Sequence, residues 1–287
     1  MNTQNNSPDL SCLPERQANA EGNFYKDYTD SDRIGPGMNE RIQRLRKLSF
    51  ESRPSISIER ALHQTAFYKE NNGKYSIPVM RALQFLDHCQ KKTLYIGEDE
   101  LIVGERGPKP KAVPTFPELT CHSVEDFQVL NTRDQQQYLV DQGDMDTYEK
   151  EVIPYWKGRT MRERIFNHVP QAWKQAYEAG VFTEFMEQRA PGHTTLDGKL
   201  YRKGMLDFKA DIKTHSDSLD FINDPEATDK AEQLKAMEIA CDGAIVFAER
   251  HADLAEKMAA SEPNEKRQKE LLKIAEVCRW VPANAPR

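Results

Sequence analysis

Several things are scarce in these 287 residues, and each shortage narrows what the chain can be. There is no excess of positive charge: 40 basic residues stand against 46 acidic ones, a net charge of −6. That argues against nucleic-acid binding, which concentrates basic residues on one surface. No apolar run approaches the roughly 18 residues that a membrane span needs; the densest stretch is Ala244–Ala248. The N-terminus has neither a basic start nor an apolar core segment, so it shows no secretory signal. Cysteine is limited to Cys12, Cys89, Cys121, Cys241 and Cys278, an odd set too widely spaced for a zinc or redox motif. Reduced thiols in a cytoplasm are expected, and no metal site. Apolar residues are also few: 38% of the chain, with a mean hydropathy of −0.78. A core can still form, but either many helices keep a wet face or part of the apolar cover is missing.

What is present reads as mostly helix. Residues 1–38 carry three basic and six acidic residues and Gly35-Pro36-Gly37, and read as a flexible extension with Phe24, Tyr25 and Tyr28 as its docking groups. From Asn39, a candidate N-cap, Ile42, Leu45 and Leu48 recur on one helix face until Pro54. A second helix spans about 57–71, and a third from Pro78 places Val79, Ala82, Leu83, Leu86 and Cys89 on one stripe. Thr93–Ile96 and Leu101–Val103 read as short strands, a small hairpin, and the four prolines of 107–117 as an extended loop. Ser123 with Asp126, and Thr160 with Glu163, have the spacing of capping boxes. Pro170 opens a helix that buries Trp173, Ala176 and Tyr177 and stops at Gly180. Further helices are expected over 205–219, from Asp224-Pro225 through Met258, and from Pro263 to Cys278, with the charge run Glu262–Lys273 as a wet surface.

One irregular stretch offers chemistry. Phe182–Thr194, FTEFMEQRAPGHT, holds aromatics, acids, Arg189 and His193, and Pro191-Gly192 forces a turn that puts His193 in a loop. A histidine there can give or take a proton near neutral pH, Arg189 can grip an anion, and Phe182, Phe185 and Met186 can wall a pocket. A plainer reading stays open, with the apolar three as core and Arg189 and His193 as solvated loop residues. Cys121-His122 is read as a buried cysteine beside a cap rather than a nucleophile and its base, and His88-Cys89 as helix core. Gly104–Gly107 lacks a phosphate-binding fingerprint.

The strings ISIERA (Ile56–Ala61), DELIVGERG (Asp99–Gly107), PTFPEL (Pro114–Leu119), FTEFMEQRAPGHT and KGMLDFK (Lys203–Lys209) resemble the N-terminal third of the glycyl radical enzymes. Among these pyruvate formate-lyase-like proteins the dehydratase branch is nearest. LLKIAEVCRWVPANAP (Leu271–Pro286) resembles the point where that family's chain enters its barrel. The resemblance implies a mainly α chain with minor β: residues 39–287 would be the N-terminal helical part of a ten-stranded α/β barrel, left incomplete here. It implies a lyase that eliminates water, or another leaving group, from a small polar substrate such as hydroxyproline by thiyl-radical chemistry. It also implies that no cofactor is bound directly and that the glycyl radical is installed by a radical-SAM activating enzyme using S-adenosylmethionine and an iron–sulfur cluster. His193 maps onto the family's candidate proton donor, Phe185 onto an aromatic lining the substrate site, and Arg189 onto a neighbour of that site.

The chain also departs from the pattern. No cysteine here has glutamate two residues on, and no RVAGY-type glycyl loop occurs, so the thiyl cysteine and radical glycine are not in this chain. Its expected partners are the activase, the remainder of the barrel or a second polypeptide, and a second copy in a homodimer. A stand-alone helical protein docking on such an enzyme or its activase, a split lyase, and a carbon–sulfur lyase of the isethionate type remain as alternatives.

Overall fold

The computed structural model describes residues 39–182 and 196–286. Among them are eleven α-helices, a 3-10 helix and a two-stranded parallel sheet, the expected mainly α chain with minor β. Helix α1 (Glu40–Glu51) starts where Asn39 Oδ1 accepts the Ile42 N–H at 3.0 Å. Its apolar stripe is not buried, however, with Ile42 46% and Leu48 40% exposed. Ion pairs hold it instead: Arg41 to Glu270 and Arg44 to Asp99, each at 2.6 Å.

Strands β1 (Ser55–Ser57) and β2 (Ala112–Pro114) pair in parallel, Ile56 opposite Val113. The proline-rich loop therefore contains a strand; Pro114 is tolerated because it ends a short edge. The Ile56 N–H donates to Leu139 O at 2.9 Å, tying a third segment to the sheet. No hairpin forms over Thr93–Val103, because side chains take up its backbone groups. Glu59 accepts from the Thr93 N–H, Glu100 accepts from the Gly97 N–H, and Arg267 donates to the carbonyls of Gly97 and Glu100, all at 2.8–2.9 Å. With donors and acceptors satisfied in this way, the segment gains nothing by pairing with itself.

Helices α2 (Glu59–Asn71) and α3 (Ile77–Lys91) form a hairpin about Gly73, whose φ of 77° favours glycine. Helices α4 (Val124–Thr132), α5 (Gln142–Glu151) and α6 (Ile153–Trp156) close over α2. Their shared core contains Ile58, Ala61, Phe127, Tyr148 and Trp156, and the indole of Trp156 donates to Thr65 Oγ1 at 2.9 Å. Both expected capping boxes are present: Ser123 with Asp126 opens α4, and Thr160 with Glu163 opens α7 (Met161–His168). In α8 (Gln171–Glu178) Trp173 and Tyr177 are only half-buried, so that helix leans on a ring cluster rather than a closed core.

The second half is dominated by α10 (Ala227–Ser261), which packs between α3, α9 (Met205–Asp217) and α11 (Glu265–Trp280). Where it meets α11 it buries the small residues Ala252, Ala255 and Ala259, so that Leu271, Ile274 and Ala275 of α11 approach closely. At Gly243 a Cβ would lie 2.7 Å from the Phe85 ring, so glycine is what allows α3 to cross there. Regular helix begins at Ala227 rather than at Asp224-Pro225, because Asp224 first closes a turn by accepting the Glu226 N–H at 2.9 Å. The 262–273 charge run is not uniformly wet, since Arg267 is buried and paired with Glu270 at 3.3 Å. Large apolar side chains do remain exposed, among them Ile102 at 89% and Ile222 at 92%.

Candidate functional site

Phe185, Arg189 and His193 lie outside the described residues, as does Met186; the structure describes the two ends that carry them. On the N-terminal side, Phe182 packs on Trp173 with ring centroids 4.9 Å apart, and Trp173 stacks on Tyr177 with planes 6° apart. Beneath them the Arg162 guanidinium lies 4.4 Å over the Phe166 ring and donates to Tyr177 Oη at 2.9 Å. Edge-to-face and cation–π contacts of this kind each add on the order of 1 kcal/mol beyond area burial. The entry to the loop is thus fixed by α7 and α8.

On the C-terminal side the chain resumes at Leu196, runs through the 3-10 helix Asp197–Tyr201, and enters α9 through Gly204. The first turn of α9 has no side-chain N-cap from Gly204. Its N–H groups at Met205 and Leu206 donate instead to the carbonyls of Pro282 and Ala283, at 2.9 and 3.0 Å. The Asp207 carboxylate accepts the Gly204 N–H at 2.9 Å. A Cβ on Gly204 would overlap backbone atoms of Ala283 and Asn284, so only glycine lets the two segments meet. The Trp280 indole, donating to Ala285 O at 2.7 Å, holds the other side of this latch. The Pro-Ala-Asn-Ala-Pro segment of residues 282–286 is therefore the N-terminal support of α9.

Between the 3-10 helix, α9 and α10 lies a groove of about 920 Å³. Phe85, Leu196, Phe208 and Met237 give it an apolar floor, and Lys199 and Arg202 stand on its rim. Leu196, where the described chain resumes, is one of its lining residues. Neither the groove nor the latch was read from periodicity; the glycine of KGMLDFK was the available signal, because a glycine entering a helix marks close backbone approach.

The other chemical candidates sit in settings that disfavour thiolate and imidazolium. Burial pushes the thiols of Cys89 and Cys121 up to about 11, and those of Cys241 and Cys278 upward as well. Cys121 Sγ sits 3.8 Å from Tyr148 Oη and from the His122 carbonyl, and no base is positioned to activate it. Burial holds the His122 imidazole below its ordinary range. Among the described residues no set of three or more His, Cys, Asp or Glu side chains could hold a metal ion, and no helix is long and apolar enough to cross a membrane.

The sequence matches the pyruvate formate lyase-like family over residues 38–287. It is 46% identical over 250 residues to the trans-4-hydroxy-L-proline dehydratase of Clostridioides difficile, covering 87% of this chain and 32% of that one. With an isethionate sulfite-lyase of Oleidesulfovibrio alaskensis the identity is 29% over 297 residues, 98% of this chain and 34% of the relative. The crystal structure of the C. difficile hydroxyproline dehydratase with trans-4-hydroxy-L-proline bound superposes with a TM-score of 0.83, at 46% identity, over 87% of this chain and 32% of that one. The glycerol-bound B12-independent glycerol dehydratase of Clostridium butyricum gives 0.80 at 26% identity, over 88% and 33%. This chain spans about a third of the length of these relatives.

Proposed function

The chain belongs to the pyruvate formate lyase-like family, and from that premise we propose that it supplies the N-terminal helical portion of a glycyl radical dehydratase acting on trans-4-hydroxy-L-proline or a close relative. The observation that carries this reading is the gap in identity: 46% to the hydroxyproline dehydratase against 26–29% to the isethionate sulfite-lyases.

In this reading a thiyl cysteine and a radical glycine outside these 287 residues, the latter installed by a radical-SAM activase, would supply the hydrogen-abstraction chemistry. No cysteine of these 287 residues is followed by glutamate two positions on, and no RVAGY-type glycyl loop occurs among them, so the motifs of the radical pair are not in this sequence. What its own residues do is polar. His193, as imidazolium, gives a proton to the hydroxyl leaving the substrate, so that water rather than hydroxide departs. General-acid assistance of this kind contributes about 10²–10⁴-fold. Phe185 walls the substrate, and Arg189 stands near the same site. The ring cluster of Phe166, Trp173, Tyr177 and Phe182 and the Gly204 latch support this reading, because they brace both ends of the loop that presents these side chains.

The test is substrate turnover by the full polypeptide carrying these residues, activated anaerobically with its activase. Loss of water from trans-4-hydroxy-L-proline with no sulfite release from isethionate is the expected result. Sulfite release from isethionate without hydroxyproline turnover would overturn it in favour of a carbon–sulfur lyase.

A further inference from the structure

Helix α1 leaves an apolar stripe uncovered beside a segment of opposite charge. None of its residues is buried, and Ile42 and Leu48 both stand exposed. The Arg44–Asp99 ion pair ties the segment of Leu101 and Ile102, also exposed, to the same helix. We propose that this stripe is the docking surface for residues 21–32 of the same chain, which lie outside the described residues. They fold back along α1 and set Phe24, Tyr25 and Tyr28 against Ile42 and Leu48.

Charge, composition and chain direction agree. Helix α1 is basic, with Arg41, Arg44, Arg46 and Lys47 against Glu40 and Glu51. Residues 21–32 are acidic, with Glu21, Asp27, Asp30 and Asp32 against Lys26. Opposite net charges draw the two together, and aromatic rings then cover the apolar stripe. Between them stands Gly35-Pro36-Gly37, a turn-forming tripeptide just before the Asn39 N-cap. A reversal there returns the chain along α1 rather than away from it. The reach is sufficient: the 12 residues of α1 rise about 18 Å, and residues 24–32 extend about 26 Å.

The helix lacks the cover that this segment brings. Its links to the body are ionic, Arg41 with Glu270 and Arg44 with Asp99, and the apolar stripe takes no part in them. Ion pairs near the surface contribute little each, so the unmet requirement of α1 is apolar contact. Only residues 33–38 separate the acidic, aromatic segment from the helix, which keeps the entropy cost of closing the loop small.

The experiment uses the full polypeptide, not radical-activated, and compares it with a variant carrying Phe24→Ser, Tyr25→Ser and Tyr28→Ser. Hydroxyl-radical footprinting, read by mass spectrometry, reports the oxidation rates of Ile42 and Leu48. The family match begins at residue 38, so the three substitutions fall outside the shared fold. Oxidation of both residues at least threefold faster in the variant, at two protein concentrations tenfold apart, is the expected result. Equal rates overturn the proposal: fast in both proteins, the stripe is bare; slow in both, another part of the polypeptide or a second copy covers it. A difference that disappears on dilution also overturns it, because the segment then comes from a second copy. None of these outcomes bears on hydroxyproline turnover.

Discussion

Replacing Gly204 by alanine tests the latch that supports α9. Gly204 has φ −93° and ψ 178°, a backbone conformation that alanine adopts freely, so any cost is steric rather than conformational. The added Cβ meets backbone atoms of Ala283 and Asn284, which cannot swing aside as a side-chain tip would. The two segments must separate, and the Met205 and Leu206 N–H groups lose their acceptors on Pro282 and Ala283. Two hydrogen bonds at about 1 kcal/mol each and a backbone displacement of about 1–3 kcal/mol outweigh the gain of about 0.4–1 kcal/mol from a stiffer unfolded chain. The net expectation is a loss of about 2–4 kcal/mol. Thermal unfolding followed by circular dichroism checks it, with a drop in Tm of roughly 5–15 °C at about 2–4 °C per kcal/mol. Gly198→Ala is the control, since nothing lies within 4 Å of its Cβ position. Equal midpoints for Gly204→Ala and the unaltered protein would refute the close packing of Gly204 on the 282–284 segment.

Other outcomes follow from buried charge. Arg267→Met leaves the Glu100 carbonyl without its side-chain donor, the Gly97 carbonyl with only the Glu100 N–H, and Glu270 with only Arg41, a loss of about 2–4 kcal/mol read by urea denaturation. His251 is buried, and its Nδ1–H donates to the Phe247 carbonyl at 2.8 Å, which leaves Nε2 bare. Desolvation, with Lys92 and Arg250 nearby, lowers its proton affinity in the folded state. Below the ordinary histidine pKa of about 6.5 the unfolded chain therefore takes up the proton first. Stability should fall as pH drops through that range, and His251→Gln should flatten the slope of Tm between pH 7 and 5. An equally steep slope in the variant would assign the acid sensitivity to other groups.

The helices were legible wherever one residue or one stripe determines them. Asn39, the two capping boxes and the Val79–Cys89 stripe all stand where spacing placed them. Reading failed where distant side chains supplied the backbone partners. The hairpin expected over Thr93–Val103 is replaced by a loop that Glu59 and Arg267 hold from 34 and 170 residues away. Strand β2 hides among prolines because its partner, β1, is more than fifty residues earlier and three residues long. Helix α1 has the right period but buries nothing, since its attachment is ionic. For the candidate site, the family strings pointed to His193, whereas the rings before residue 183 and the latch and groove after residue 195 emerge only when α7, α8, α9 and the 282–286 segment are seen together.

The central claim, that the loop bearing His193 protonates the leaving hydroxyl, is tested most directly by one paired measurement on the anaerobically activated full polypeptide. Glycyl radical content, by electron paramagnetic resonance, and loss of trans-4-hydroxy-L-proline are measured for the unaltered protein and for His193→Ala. The account predicts an unchanged radical signal with turnover lowered by about 10²-fold or more. A lost radical signal, or turnover within threefold of the unaltered protein, would contradict it.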